Sequence, residues 1–169
     1  MKKITSRDNA TFKQLRLLAQ SSRERRKQGR TILDGIHLVS EWVEHCGPPD
    51  LLAVSEGGVQ RTEIAAWLAA HPQIAPYLLG DALFKEVSPV DTPTGILALI
   101  SIPHPPQNAA VQGSCILLEA IQDAGNLGPI LRSAAAAGVT DVFLGQGCAQ
   151  SWSPRVLRAA MGAHFQLGI

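Results

Sequence analysis

The chain has 169 residues, 46% of them hydrophobic and 17% charged, with 15 Lys+Arg against 14 Asp+Glu. That apolar content supports a packed core and excludes a disordered polyelectrolyte. No apolar run approaches the ~18 residues that cross a bilayer, and residues 1–8 lack the apolar core of a secretory signal. Cys46, Cys115 and Cys148 are odd in number and far apart, which fits neither a disulfide framework nor a zinc site. A reducing compartment, the cytoplasm, is expected, with no metal and no membrane association.

The small net charge of +1 conceals a segregation. Residues 1–30 carry ten basic side chains and two acidic ones. Residues 31–131 carry only Arg61 and Lys85 against eleven acidic side chains, and residues 132–169 carry Arg132, Arg155 and Arg158 against Asp141. A basic end on an acidic body points to a polyanion, because each cation near a phosphate releases condensed counterions. A solvated basic helix that aids solubility is the competing explanation.

In chain order, Asn9 is an N-cap for a helix reaching Gln28 and ended by Gly29. On it Lys13, Arg16, Gln20, Arg23 and Lys27 would share one face, beside an apolar stripe of Phe12, Leu15, Leu18 and Ala19. Residues 30–34 read as a strand, and 35–46 as a helix packing through Ile36, Val39 and Val43. Strands follow at 51–54, 77–79 and 95–100, with helices at 62–70 and 81–86, giving a small α/β sandwich over 1–102. Pro103, Pro105 and Pro106 mark residues 103–113 as a semi-rigid linker.

A second α/β unit spans 114–169. Residues 115–118 form a continuous apolar run, expected to be a parallel strand buried on both faces, with Cys115 and Cys148 in the core. Residues 119–128 read as a loop, after which Pro129 opens a helix ending at Gly138. Residues 141–144 are a second strand, 154–161 a helix, and 164–169 a third strand.

The Gly145–Gly147 pair after a strand lacks the third glycine and the acidic residue of a dinucleotide fingerprint. None of His37, His45, His71, His104 and His164 lies at metal-ligand spacing. The stretch from Asp123 to Ala134 (DAGNLGPILRSA) is different. It gathers a carboxylate, an amide, two glycines and Arg132 at the edge of a parallel strand where ligands bind in open α/β sheets. A capped turn carrying an incidental arginine is the bland alternative.

That stretch, with Ala137-Gly138-Val139, resembles the first motif of the SpoU/TrmH family of RNA 2′-O-ribose methyltransferases. The segment from Ser153 to Ala163 (SPRVLRAAMGA) is similar to the family's next motif. The N-terminal pattern Ile4-Thr5-Ser6, Asn9, Lys13, Arg26, Gly29 and Asp34-Gly35 resembles the substrate-binding domain of members acting on ribosomal RNA, and residues 92–98 (TPTGILA) the lead into the catalytic domain.

The resemblance implies an L30e-like α/β sandwich that grips RNA, then the N-terminal half of a SPOUT domain. The latter is a Rossmann-like parallel sheet with a trefoil knot that binds S-adenosylmethionine and forms a homodimer. It implies catalytic roles for Asn126 and Arg132, while the cations Lys13, Arg16, Arg23, Arg26, Lys27, Arg30, Arg155 and Arg158 are the expected RNA contacts. It implies 23S ribosomal RNA as substrate ahead of transfer RNA. The family's main cofactor motifs lie beyond Ile169, leaving Gly145 and Gly147 as the cofactor loop present. This chain is therefore expected to be a shortened, inactive form. A non-catalytic RNA-binding protein is the alternative function.

Overall fold

The structure is a computed structural model and describes residues 1–103, 111 and 113–169. The chain divides into two compact units, Met1–Ser101 and Ile102–Ile169. Most of the predicted linker 103–113, including Pro105 and Pro106, lies outside the described residues.

Unit 1 runs β1 (Lys2–Ile4), α1 (Ala10–Gln20), α2 (Ser22–Gln28), β2 (Arg30–Asp34), α3 (Ile36–Cys46), β3 (Leu51–Ser55), a 3-10 turn (Gly58–Gln60), α4 (Thr62–Ala70), β4 (Tyr77–Leu79), α5 (Asp81–Val87) and β5 (Ile96–Ser101). The sheet order is β1-β4-β3-β5-β2. β4 pairs in parallel with β1 and β3, while β5 pairs antiparallel with β3 and β2. Phe12, Leu15 and Leu18 of α1 meet Phe84 and Val87 of α5 over Ile4, Ile32, Leu79 and Leu97 of the sheet. β1 escapes sequence reading because two lysines precede its only apolar residue; its backbone pairing to β4 makes it a strand. Exposed lysines are a common guard on such edges.

The predicted continuous helix 10–28 is two helices. Ser21 takes an extended conformation (φ −116°, ψ 110°) that closes α1, and its hydroxyl accepts the Glu24 N–H at 3.2 Å to start α2. Serine favours such caps because its side chain competes for backbone donors. The ends follow expectation: the Asn9 side chain accepts from Thr11 N–H and Phe12 N–H, and Gly29 closes α2 at φ 60°. The break interrupts the predicted single basic face. α3 also differs, burying Leu38, Val39 and Trp42 while Ile36 and Val43 stay half-buried. Two apolar stripes were available, and the one carrying the large indole took the interior.

Unit 2 contains β6 (Cys115–Leu118), α6 (Ala124–Ala136), β7 (Asp141–Leu144), α7 (Pro154–Ala160) and a 3-10 turn (Ala163–Gln166). β6 and β7 pair in parallel from Cys115↔Asp141 to Leu118↔Leu144. Leu127 and Leu131 of α6 and Val156 and Ala160 of α7 pack on Val142, with Ile116, Leu118 and Leu144 half-buried against them. Only that sheet face is covered, so β6 is not buried on both sides as its sequence suggests. Leu117 is 79% and Phe143 46% exposed. Cys115 is likewise exposed and Cys148 half-buried, correcting their assignment to the core.

Two further expectations change. The segment 164–169 is not a strand throughout: it begins inside the 3-10 turn, and only Gly168 bridges in parallel to Asp141. The cause is local, since Gly162 (φ 88°) and Met161 (φ 50°) turn the chain tightly before it can extend. And α6 starts five residues before Pro129, capped by the Asp123 carboxylate, which accepts the Gly125 N–H at 3.1 Å. Proline there leaves only the Gly125 carbonyl without its donor, a small loss near a helix start.

Candidate functional site

The ends of the two parallel strands in unit 2 lead into loops that are stitched together. Gly145 N–H donates to Leu118 O at 2.7 Å, Ala120 N–H to Gln146 O at 3.0 Å, and Ala149 N–H to Ile121 O at 2.8 Å. Cys148 Sγ–H donates to Leu118 O at 3.4 Å. Ala120 is held at φ 56°, a left-handed conformation that non-glycine residues seldom adopt. Strain of this kind persists where the surroundings over-determine a loop, often near a ligand. The glycines of the second loop serve this stitching. A Cβ on Gly145 would stand 3.3 Å from Leu118 O, and Gly147, at φ 75°, would place one 3.3 Å from Ala120 Cα.

Behind this edge α6 crosses α7 at Gly128, where a Cβ would lie 2.3 Å from the Ala159 Cβ. A glycine assigned from sequence to a ligand loop is therefore what lets two helices touch. Asn126 and Arg132 both sit on α6 and both are exposed. Six positions apart, they are separated by about 9 Å along the axis and about 120° around it. Arg132 is the ninth residue of α6 because the helix starts at Ala124; a helix opened by Pro129 would have held it in the first turn. Arg132 makes no hydrogen bond or ion pair with any described residue. On α7, Ser153 accepts the Val156 N–H at 3.4 Å, and Arg155 and Arg158 are exposed three residues apart on one side.

The predicted RNA-contact cations of unit 1 fall into two groups. Lys13 pairs with Asp8 (3.0 Å), Arg16 with Glu86 (3.8 Å) and Arg30 with Asp50 (3.4 Å). Arg23, Arg26 and Lys27 share a face of α2, are exposed, and have no ion pair among the described residues. Arg25 does different work: its Nη1 donates to the Leu18 and Ala19 carbonyls at 2.6 and 3.2 Å, closing the end of α1. Burial pushes its pKa down. Nothing in composition separates Arg25 from its neighbours; the signal was the serine at 21, which forces the turn that brings it back.

Residues 113–169 match the SpoU rRNA Methylase family, and residues 9–98 the MRM3-like substrate binding domain. The chain belongs to the SpoU/TrmH family. It is 32% identical over 169 residues to the 23S rRNA (guanosine(2553)-2′-O)-methyltransferase RlmP of Bacillus subtilis, covering 100% of this chain and 64% of that protein. A crystal structure of an RNA 2′-O ribose methyltransferase superposes with a TM-score of 0.74 at 30% identity, covering 98% of this chain and 63% of that one. The AdoMet-bound rRNA methyltransferase of Sinorhizobium meliloti gives a TM-score of 0.77 at 24% identity over 98% and 62% of the two chains, a likeness of fold. The chain thus spans less than two thirds of the relatives it matches.

Gly145 and Gly147 are accounted for by the loop stitching, and neither loop aims a buried polar side chain at a common point. These residues do not by themselves make a cradle for S-adenosylmethionine. No described helix is long and apolar enough to cross a membrane, and the described residues hold no cluster of metal-ligating side chains.

Proposed function

We propose that the protein carrying these two units is an S-adenosylmethionine-dependent methyltransferase acting on a ribose 2′-hydroxyl of large-subunit ribosomal RNA. The observation that supports it most is the family match over both units, joined to whole-chain similarity to a 23S rRNA 2′-O-methyltransferase. Unit 1 holds the RNA, with Arg23, Arg26 and Lys27 as the free cations of α2. In unit 2, Arg155 and Arg158 contact the backbone.

Arg132 and Asn126 are assigned to the reacting ribose. A guanidinium stays protonated in proteins, so Arg132 orients the hydroxyl and offsets developing oxyanion charge instead of accepting its proton. Its exposure on α6 means that the site forms only when another surface, such as a second copy of the chain, faces it. The protein is accordingly assigned a homodimeric state, checked by sedimentation of the extended protein.

A second reading has its own support. Because the residues present form no adenosyl cradle, the 169-residue chain alone is expected to bind RNA without transferring methyl groups. Methyl transfer from labelled S-adenosylmethionine to 23S rRNA, with this chain and with a form extended to the length of its relatives, separates the two. Turnover by the extended form that Arg132→Ala abolishes, with RNA affinity retained, supports the enzyme. RNA binding without turnover in the extended form leaves the binding module.

A further inference from the structure

Residues 31–131 contain two basic side chains among eleven acidic ones, and both of them, Arg61 and Lys85, line a single cavity of about 360 Å³ in unit 1. Arg61 caps the start of α4 and Lys85 lies on α5, so the fold converges them from separate elements. Both are exposed, and neither forms an ion pair with any described residue.

Asp81 lies in the same cavity, one helical turn before Lys85, yet does not neutralise it. Its carboxylate is engaged by the Ser55 hydroxyl and by the Gly57 N–H at 2.9 Å, which together hold its pKa below the usual carboxylate range. Ser55 Oγ in turn accepts the Gly58 N–H at 2.8 Å. The opposite wall comes from the segment entering β5. Gly58 and Gly95 meet backbone to backbone, a Cβ on Gly58 falling 2.3 Å from Gly95 O. Beside that contact Thr94, another lining residue, has a buried Oγ1 with no hydrogen-bond partner. A buried hydroxyl left unpaired costs about 1–3 kcal/mol; this one lies on the Gly35 side, and a turn of the Thr94 side chain would present it to a group bound in the cavity.

We propose that this cavity receives one phosphate–ribose unit of a single-stranded RNA segment, with the phosphate between Arg61 and Lys85 and the sugar on Thr94 Oγ1. The inference rests on the RNA reading above and adds a docking point on unit 1 separate from α2. Two cations against one carboxylate leave a single positive charge, which matches a phosphodiester monoanion; a free phosphate dianion would meet Asp81. The volume also lies within the range of ligand pockets and exceeds what a lone phosphate fills.

Filter binding of the 169-residue chain to a 23S rRNA transcript, across a series of KCl concentrations, tests it. Arg61→Ala/Lys85→Ala should weaken binding about 10-fold and flatten the slope of log K against log salt by about 0.7, the yield of one single-strand phosphate contact. Thr94→Val should weaken binding about 3- to 10-fold with the slope unchanged, since it removes a neutral hydrogen bond. A 4-thiouridine-substituted transcript should crosslink to the peptides bearing Arg61 or Thr94. An unchanged slope in the double variant, or crosslinks only elsewhere, overturns the proposal. So does displacement by millimolar inorganic phosphate at fixed ionic strength that needs Arg61 and Lys85, which would mark a site for a free anion. Thermal unfolding confirms that the variants fold, as the exposure of Arg61 and Lys85 and the near-equal shape of threonine and valine should allow. Failure of methyl transfer in the extended protein would remove the enzyme reading and leave this binding result standing.

Discussion

The two units treat strands of similar apolar content in opposite ways. In unit 1, Ile96 to Ile100 of β5 are all within 2% of full burial, because the sheet has neighbours on both sides and helices over it. In unit 2, β6 (CILL) and β7 (DVFL) leave Leu117 and Phe143 in solvent, because α6 and α7 cover one face and two strands offer no more. A hydrophobic strand shows that burial is available; the number of elements around it decides whether burial happens.

The largest effect that could break this contrast is truncation of equivalent aromatics. Phe12, fully buried beneath the sheet of unit 1, should cost about 3–5 kcal/mol as Phe12→Ala. Phe143→Ala in unit 2 should cost about 0.5 kcal/mol or less in this chain. Urea unfolding measures both, and a Phe143→Ala loss as large as that of Phe12→Ala would mean that the open face is covered in solution.

The second effect sharpens the contrast through pH. His164 of unit 2 is buried, its ring nitrogen Nε2 2.7 Å from Ser151 O and its ring edge-on to Trp152. With Nε2–H donating to that carbonyl, Nδ1 is an acceptor without a partner. Burial pushes its pKa down from 6.5 to about 4. The unfolded chain therefore binds the extra proton between those values, and unit 2 loses stability as pH falls through that window. The loss is about 3 kcal/mol in all, with no contribution above pH 7. Tryptophan fluorescence during urea unfolding at pH 7 and 4.5, in a Trp42→Phe/Trp67→Phe background that leaves Trp152 as reporter, should show it; equal midpoints would contradict the burial of His164.

Smaller again is the contrast within the basic segment. Arg25→Ala removes two hydrogen bonds to the end of α1 and should destabilise unit 1 by about 1–2 kcal/mol with little change in RNA affinity. Arg23→Ala should leave stability within about 0.5 kcal/mol and lower the salt dependence of RNA binding. Circular dichroism melts and binding titrations distinguish the two arginines, and a reversal of these roles would show that α2 docks differently.

Much of this was legible in the chain itself. The stripe Phe12-Leu15-Leu18, the caps Asn9 and Gly29, strand 30–34 and the motif around Asn126 and Arg132 are local patterns, written in the spacing of neighbours. They determined the α/β class, the segregation of charge and the family. Tertiary structure decided the rest, because it depends on partners distant in sequence. Ser21 and Arg25 show this in turning one helix into two, and β1 in pairing two lysines with an edge strand. Gly128 proved to be a helix contact instead of a loop glycine, and the covering of β6 on one face only could not be read from its residues. Arg61 and Lys85, 24 residues apart, share a cavity because the parallel strands β3 and β4 lead into α4 and α5 at the same end of the sheet. Periodicity records what each segment can bury or bind, but only the packed sheet determines which of those capacities meet.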